Sequence, residues 1–304
     1  MDLSVKIGNL LLKNPVTLAS GTSGYGEELS AFIRLSDIGA IFTKGLSLEP
    51  RQGNRGNRIM ETPSGVLNSI GLENVGLECF LREKMPFLVK QGATVIPNVA
   101  GHSIEENVEL CKTLSRTPGV AAVELNVSCP NVKEGGIAFG TSMPVFTELV
   151  SKVRTVTGIP LIIKLSPNVA DPGEFALRAQ EIGADAVSAV NTFLGMKIDV
   201  KKGRPHFLNK VAGLSGPAIR PMAVRVVYQI YERINIPIIG MGGIFELEDM
   251  LEFLMAGAAA VSLGTVTMVH PGRSAELLGG LADYMKKNSM TDLSRLTGMA
   301  HRPE

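Results

Sequence analysis

Cysteine is scarce in this chain. Cys79, Cys111 and Cys129 stand far apart, with no C-x-x-C pair and no cluster of histidines. That pattern argues against a disulfide framework, a structural zinc or an iron–sulfur cluster held by this chain alone. Long apolar runs are missing too: nowhere do about 18 apolar residues follow one another, as a membrane helix needs. The richest stretch, 254–263, is short and heavy in glycine and alanine. The opening residues carry Asp2, Lys6 and Lys13 where a secretory signal would be continuously hydrophobic, so a cytoplasmic protein is expected. Excess charge of either sign is also absent, with 30 Lys+Arg against 29 Asp+Glu. No broad basic face for nucleic acid and no acidic tail is encoded, which leaves a small molecule as the expected substrate.

What remains is apolar and long. With 304 residues, 45% hydrophobic and 19% charged, the chain has a mean hydropathy of +0.20. A chain of that size buries about 75% of the surface its unfolded form exposes, so its core needs no staples. Eight short apolar, β-branched runs occur, at 15–20, 40–47, 94–100, 121–128, 160–166, 186–192, 236–243 and 260–266. Most are continuous rather than alternating, as in ELNVS and PLIIKLS, which fits parallel strands buried on both faces. Amphipathic stretches lie between them, at 77–91, 103–114, 144–157, 172–182, 217–234 and 247–256. Several end next to a glycine (Gly92, Gly183, Gly257) where a helix C-cap wants one.

Eight strand–helix units in series predict a closed (β/α)₈ TIM barrel, with an open doubly wound sheet as the alternative. Residues 3–14 hold a Gly8-Asn9 pair between apolar residues and read as an N-terminal β-hairpin plugging the barrel bottom. Segments 49–68 and 196–214 are long βα loops after the second and sixth strands, expected over the C-terminal face where barrel active sites are built. No linker interrupts the pattern, so 1–304 reads as one domain.

The fourth strand ends in Asn126-Val-Ser-Cys129-Pro-Asn131, followed by Val-Lys-Glu-Gly135-Gly136. A free cysteine is most often a small buried hydrophobe, and Cys79 and Cys111, within helical patterns, keep that reading. At Cys129 the flanking Asn126 and Asn131 favour a ligand, because carboxamides at a strand end are costly without something polar to bond. Lys44 and Lys164 sit inside apolar runs, where each must meet an anion or an electron-rich ring, unless it snorkels past the sheet edge. Gly240-Met-Gly242-Gly243 and Leu263-Gly264-Thr265 close the last two runs, and Gly213-Leu-Ser-Gly216-Pro adds another bare backbone. In barrels the last two βα loops commonly cradle a phosphate. No G-x-G-x-x-G occurs, since Gly21-Thr-Ser-Gly24-Tyr-Gly26 has the wrong spacing, so a dinucleotide site of the Rossmann kind is not encoded.

Together, Asn126-Val-Ser-Cys129-Pro-Asn131, Lys44-Gly45, Asn68-Ser-Ile-Gly71-Leu72, Lys164, Asn191-Thr192 and Gly242-Gly243 resemble the class 1 dihydroorotate dehydrogenases, FMN barrels of pyrimidine synthesis. The resemblance runs over nearly the whole chain. Asn131-Val-Lys-Glu-Gly-Gly136 and Gly213-Leu-Ser-Gly-Pro-Ala-Ile-Arg-Pro221 look more like the class 1B catalytic subunit than the fumarate-using class 1A. A cysteine where the membrane-bound class 2 enzymes carry serine, and no N-terminal membrane helix, argue against class 2.

The resemblance implies an FMN site at Ser20, Lys44, Gly45, Asn98, Asn126, Lys164, Val190 and Gly216, with the phosphate on Gly242, Gly243, Gly264 and Thr265. Lys164 is implied at the N1/O2 edge of the flavin, where its charge favours the reduced form. Dihydroorotate is implied against Lys44, Asn68, Ser69, Ile70, Gly71, Leu72, Asn126, Asn191 and Thr192, with Asn131 nearby. Cys129 is implied as general base at C5 while a hydride leaves C6. The class 1B likeness further implies an electron-transfer partner carrying FAD and a [2Fe–2S] cluster, which passes electrons to NAD, in a heterotetramer of two catalytic and two electron-transfer subunits. The loop 130–139 is the candidate mobile lid. Rival readings are a dihydropyrimidine dehydrogenase-like FMN barrel, a phosphate-binding lyase barrel without redox chemistry, and an inactive flavin scaffold.

Overall fold

A computed structural model describes residues 2–128 and 136–303. The chain opens with a hairpin of β1 (Val5–Ile7) and β2 (Leu10–Leu12). Ile7 pairs with Leu10 across Gly8-Asn9, and Gly8 takes a φ of +57°. A side chain at Gly8 would strike Asp185 at the start of a barrel strand, so the hairpin lies against the N-terminal end of the barrel with Val5, Ile7 and Leu12 buried.

Next come β3 (Val16–Leu18) and β4 (Ala40–Phe42), then β5 (Ile59–Thr62) and β6 (Gly65–Asn68). They are followed by β7 (Val95–Ile96), β8 (Asn98–Val99), β9 (Val123–Asn126), β10 (Leu161–Lys164) and β11 (Ala186–Ala189). After these run β12 (Phe193–Met196), β13 (Ile198–Asp199), β14 (Arg204–Pro205), β15 (Val211–Ser215), β16 (Ile238–Gly240) and β17 (Ala260–Leu263).

The main sheet is parallel in the order β7-β4-β3-β17-β16-β11-β10-β9-β8. Its two end strands are halves of one strand, interrupted at Pro97, which has no N–H to give to a ladder. Because β7 pairs with β4 and β8 with β9, that split strand joins the two ends and closes an eight-membered barrel. These strands match the eight apolar runs in order, and nearly all their residues are buried, as a sheet covered on both faces requires. Lys44 falls two residues beyond the end of β4 rather than within a strand.

The outer helices start and stop on chemistry visible in the sequence. Ser103 caps Ile104–Leu114 by accepting from the Glu106 N–H at 3.1 Å. Asp171 caps Pro172–Ile182, and that helix ends on Gly183 at φ +98°. Leu110, Cys111 and Leu114 face the core, and burial pushes the Cys111 thiol well above its usual range. Among the described residues no helix is long and apolar enough to cross a membrane.

The two long βα connections do not stay separate. Their strands form one antiparallel sheet, β12-β15-β6-β5, with Asn68 opposite Gly213 and Val66 opposite Ser215. Leu67, Phe207 and Ala212 form a small second core beneath it. This sheet starts from the C-terminal ends of β4 and β11 and walls one side of the barrel mouth.

Candidate active site

A cleft of about 1340 Å³, its open mouth included, occupies the C-terminal end of the barrel. Parallel strands deliver their last residues to this rim, so side chains far apart in the sequence converge there. Ser20 follows β3, Lys44 and Gly45 follow β4, and Asn98, Asn126 and Lys164 come from β8, β9 and β10. Val190, Asn191 and Thr192 follow β11; Gly242 and Gly243 follow β16; Gly264 and Thr265 follow β17. The second sheet and the loops that leave its strands contribute Asn68, Ile70, Gly71, Leu72 and Gly216.

Ser69 does not line the cleft. It is buried, and its hydroxyl accepts from Asn54 Nδ2 at 3.1 Å, which braces the neighbouring loop. Cys129 and Asn131, with the segment 130–135 of the expected lid, lie outside the described residues.

The polar floor is a connected network. Lys164, only 5% exposed, donates from Nζ to Ser20 Oγ at 3.3 Å and stands 3.9 Å from Glu124 Oε2. Glu124 accepts from Asn98 Nδ2 at 2.5 Å and from Ser188 Oγ at 2.6 Å. Asn126 donates to Asn98 Oδ1 at 3.3 Å and accepts from the Ser128 N–H at 3.1 Å and hydroxyl at 3.0 Å. Asn191 completes the chain by donating to Ser128 Oγ at 2.6 Å. Asn126 and Asn191 each spend one amide hydrogen in this network, which leaves the cleft wall with N–H donors for a ligand rich in oxygen acceptors.

Sequence reasoning missed Glu124, Ser128 and Ser188. Glu124 carried the same signal as Lys164, a charged residue inside an apolar run, and it is the anion that Lys164 was expected to meet. Ser188 carried none, because a serine within a strand is unremarked until its neighbour is known.

The glycine turns leave backbone bare toward the cleft. Gly242 and Gly243 have φ values of +130° and +80°, and a Cβ on Gly243 would lie 2.7 Å from the Gly216 carbonyl. At Gly264 a Cβ would meet nothing nearer than Ala19 Cβ at 3.9 Å, so this glycine faces open space. Thr22 Oγ1 and Ser262 Oγ, both on residues of the cleft wall, are buried without a hydrogen-bond partner among the described residues. Orphaned hydroxyls of this kind fit a cleft shaped around a polar ligand.

The family model of dihydroorotate dehydrogenase matches residues 2–285. The chain belongs to the dihydroorotate dehydrogenase family. It is 48% identical over 301 residues to the dihydroorotate dehydrogenase B (NAD⁺) catalytic subunit of Desulforamulus reducens, covering 99% of both chains. To the subunit of the same description from Geotalea daltonii it is 50% identical over 297 residues, 98% of this chain and 97% of that protein. For a dihydroorotate dehydrogenase the group to test against the cleft is FMN, and the residues present fit it. A buried lysine, bare glycine turns and unpartnered hydroxyls are the donors that a phosphorylated, carbonyl-bearing ring system needs. Among the described residues no three His, Cys, Asp or Glu side chains gather as metal ligands.

Proposed function

We propose that the chain is the catalytic subunit of an NAD-linked dihydroorotate dehydrogenase, oxidising (S)-dihydroorotate to orotate in the cytoplasm, in the synthesis of pyrimidines. The observation that carries this reading is the convergence on one cleft of two lysines, Lys44 and Lys164, and four carboxamides, Asn68, Asn98, Asn126 and Asn191. A planar carboxylate with ring carbonyls is a ligand such a wall recognises: the ammonium of Lys44 meets the carboxylate and the Asn N–H groups meet the carbonyls.

FMN would be held by Ser20, Gly45, Asn98, Lys164, Val190 and Gly216, with its phosphate on the N–H groups around Gly242, Gly243, Gly264 and Thr265. When bound, FMN supplies the two-electron acceptor for the hydride from substrate C6. Lys164 contributes a fixed positive charge, which stabilises negative charge wherever it develops nearby. Asn68, Asn126, Asn191 and Thr192 orient the substrate ring, so that its entropy is spent on binding rather than in the reaction. Cys129, next in sequence to Ser128, takes the C5 proton on its Sγ; a thiol does this only as thiolate, so the rate should rise with pH toward its ionisation.

The electrons then leave through a partner subunit carrying FAD and a [2Fe–2S] cluster, in a heterotetramer of two catalytic and two electron-transfer subunits. The test is the absorption spectrum of the purified chain before and after anaerobic addition of dihydroorotate. Flavin bands that bleach on addition are expected. A colourless chain, or a flavin bleached by dihydrouracil and not by dihydroorotate, would overturn the reading.

A further inference from the structure

Glu124 is fully buried in the middle of β9, between Val123 and Leu125. A carboxylate shut off from water persists only where its oxygens are hydrogen-bonded and its charge is met. Both conditions hold: Oε1 accepts from Ser188, while Oε2 accepts from Asn98 and stands 3.9 Å from the Lys164 ammonium. Lys164 is almost as deeply buried, and among the described residues its direct hydrogen bond is to Ser20 at 3.3 Å. Each charge is therefore the other's principal reason to be tolerated there.

Glu124 does not line the cleft, whereas Lys164, Asn98 and Ser20 do. Resting on the FMN reading above, we propose that Glu124 is a positioning residue of the cofactor site, holding Lys164 Nζ and the Asn98 carboxamide in place for the flavin. Ionised, it can only accept. Asn98 must therefore turn its NH₂ toward Glu124 and its carbonyl toward Asn126, which is the arrangement seen. Lys164, on a flexible four-carbon stem, is kept at the cleft floor by a counter-charge on the neighbouring strand rather than by packing alone.

The experiment is a double-mutant cycle of Glu124→Gln with Lys164→Met, read as FMN dissociation constants of the apo chain by quenching of flavin fluorescence. Glu124→Gln alone should weaken FMN binding about tenfold. In the Lys164→Met background the same change should weaken it much less, because the ammonium that the carboxylate holds is gone while the glutamine carbonyl can still accept from Asn98. An equal loss in both backgrounds would show that Glu124 does not act through Lys164, and no loss in the wild-type background would remove it from the site; either overturns the proposal.

If Glu124→Gln fails to fold, thermal melting of the apo chains decides: the double variant should melt above Lys164→Met alone, and an equal or lower midpoint overturns the pairing. A wild-type chain that binds no FMN would instead count against the functional reading, and the melting comparison would still judge the pair.

Discussion

Asn68 on β6 donates from Nδ2 to the carbonyl of Gly213 on β15, 3.2 Å away, which locks together two connections that leave the barrel after different strands. Gly213 has no room for a side chain: a Cβ there would lie 2.2 Å from Thr192 Oγ1 and 2.8 Å from its Cβ. Asn68, Gly213 and Thr192 are thus interlocked on the cleft wall built by the second sheet, with Gly213 two residues before the strand end at Ser215 that bonds Thr265.

Gly213→Ala should push Thr192 out of place and raise KM for dihydroorotate about tenfold, in keeping with the cost of overpacking. FMN affinity should change less than KM, because the added methyl presses on Thr192 and Asn68 and not on the glycine turns themselves. Steady-state kinetics beside a flavin titration separates the two. An unchanged KM would remove Thr192 from the substrate wall.

The barrel was legible because its strands are closed off from water on both faces, so that VELN, LIIK and AVSL read as continuous apolar runs whatever their partners. The second sheet was not. Its strands Ile59–Thr62 and Val211–Ser215 are half exposed and come from segments far apart in the chain, and their register depends on a pairing that no local pattern encodes. The candidate site divides along the same line. Lys44, Lys164 and the glycine turns announce themselves by being the wrong residues for an apolar strand end. Ser69 was carried along by its neighbours in Asn68-Ser-Ile-Gly-Leu, but the hydroxyl of a turn residue can face either way, and here it serves Asn54.

Cys129→Ala should retain FMN yet slow reduction of the flavin by dihydroorotate roughly 10²–10⁴-fold, the usual worth of a general base. Cys129→Ser should keep more activity than alanine and need a higher pH, because a hydroxyl gives up its proton less readily than a thiol. Anaerobic rapid mixing, followed at the flavin absorption, measures both. Reduction of the alanine variant at the wild-type rate would show that the C5 proton leaves by another route.

Tyr25 offers a handle on stability that does not touch the chemistry. Its ring is buried against Phe80, its oxygen accepts from the Val75 N–H at 3.4 Å, and burial pushes its ionisation from 10.0 up to about 12. The unfolded chain gives up this proton from pH 10, while the folded chain holds it until about 12. The contribution is therefore whole below pH 10 and is lost as pH rises through that window. Urea melts at pH 8 and pH 11 should show a larger loss of stability for the wild type than for Tyr25→Phe. Equal losses would place the phenol in water.

The last prediction concerns where the electrons go. On the proposed reading the chain carries out the half-reaction that oxidises dihydroorotate and hands the electrons to a partner; its sequence has three widely spaced cysteines and no G-x-G-x-x-G turn. Purified alone, it should be reduced by dihydroorotate and reoxidised by artificial dyes or oxygen, and it should fail to reduce NAD⁺. Adding the proposed electron-transfer subunit should restore NAD⁺ reduction, followed as absorbance of NADH. Rapid turnover with fumarate by the isolated chain would place it among the class 1A enzymes. NAD⁺ reduction without any partner would mean that a nicotinamide site exists on this barrel in a form that its turns do not reveal.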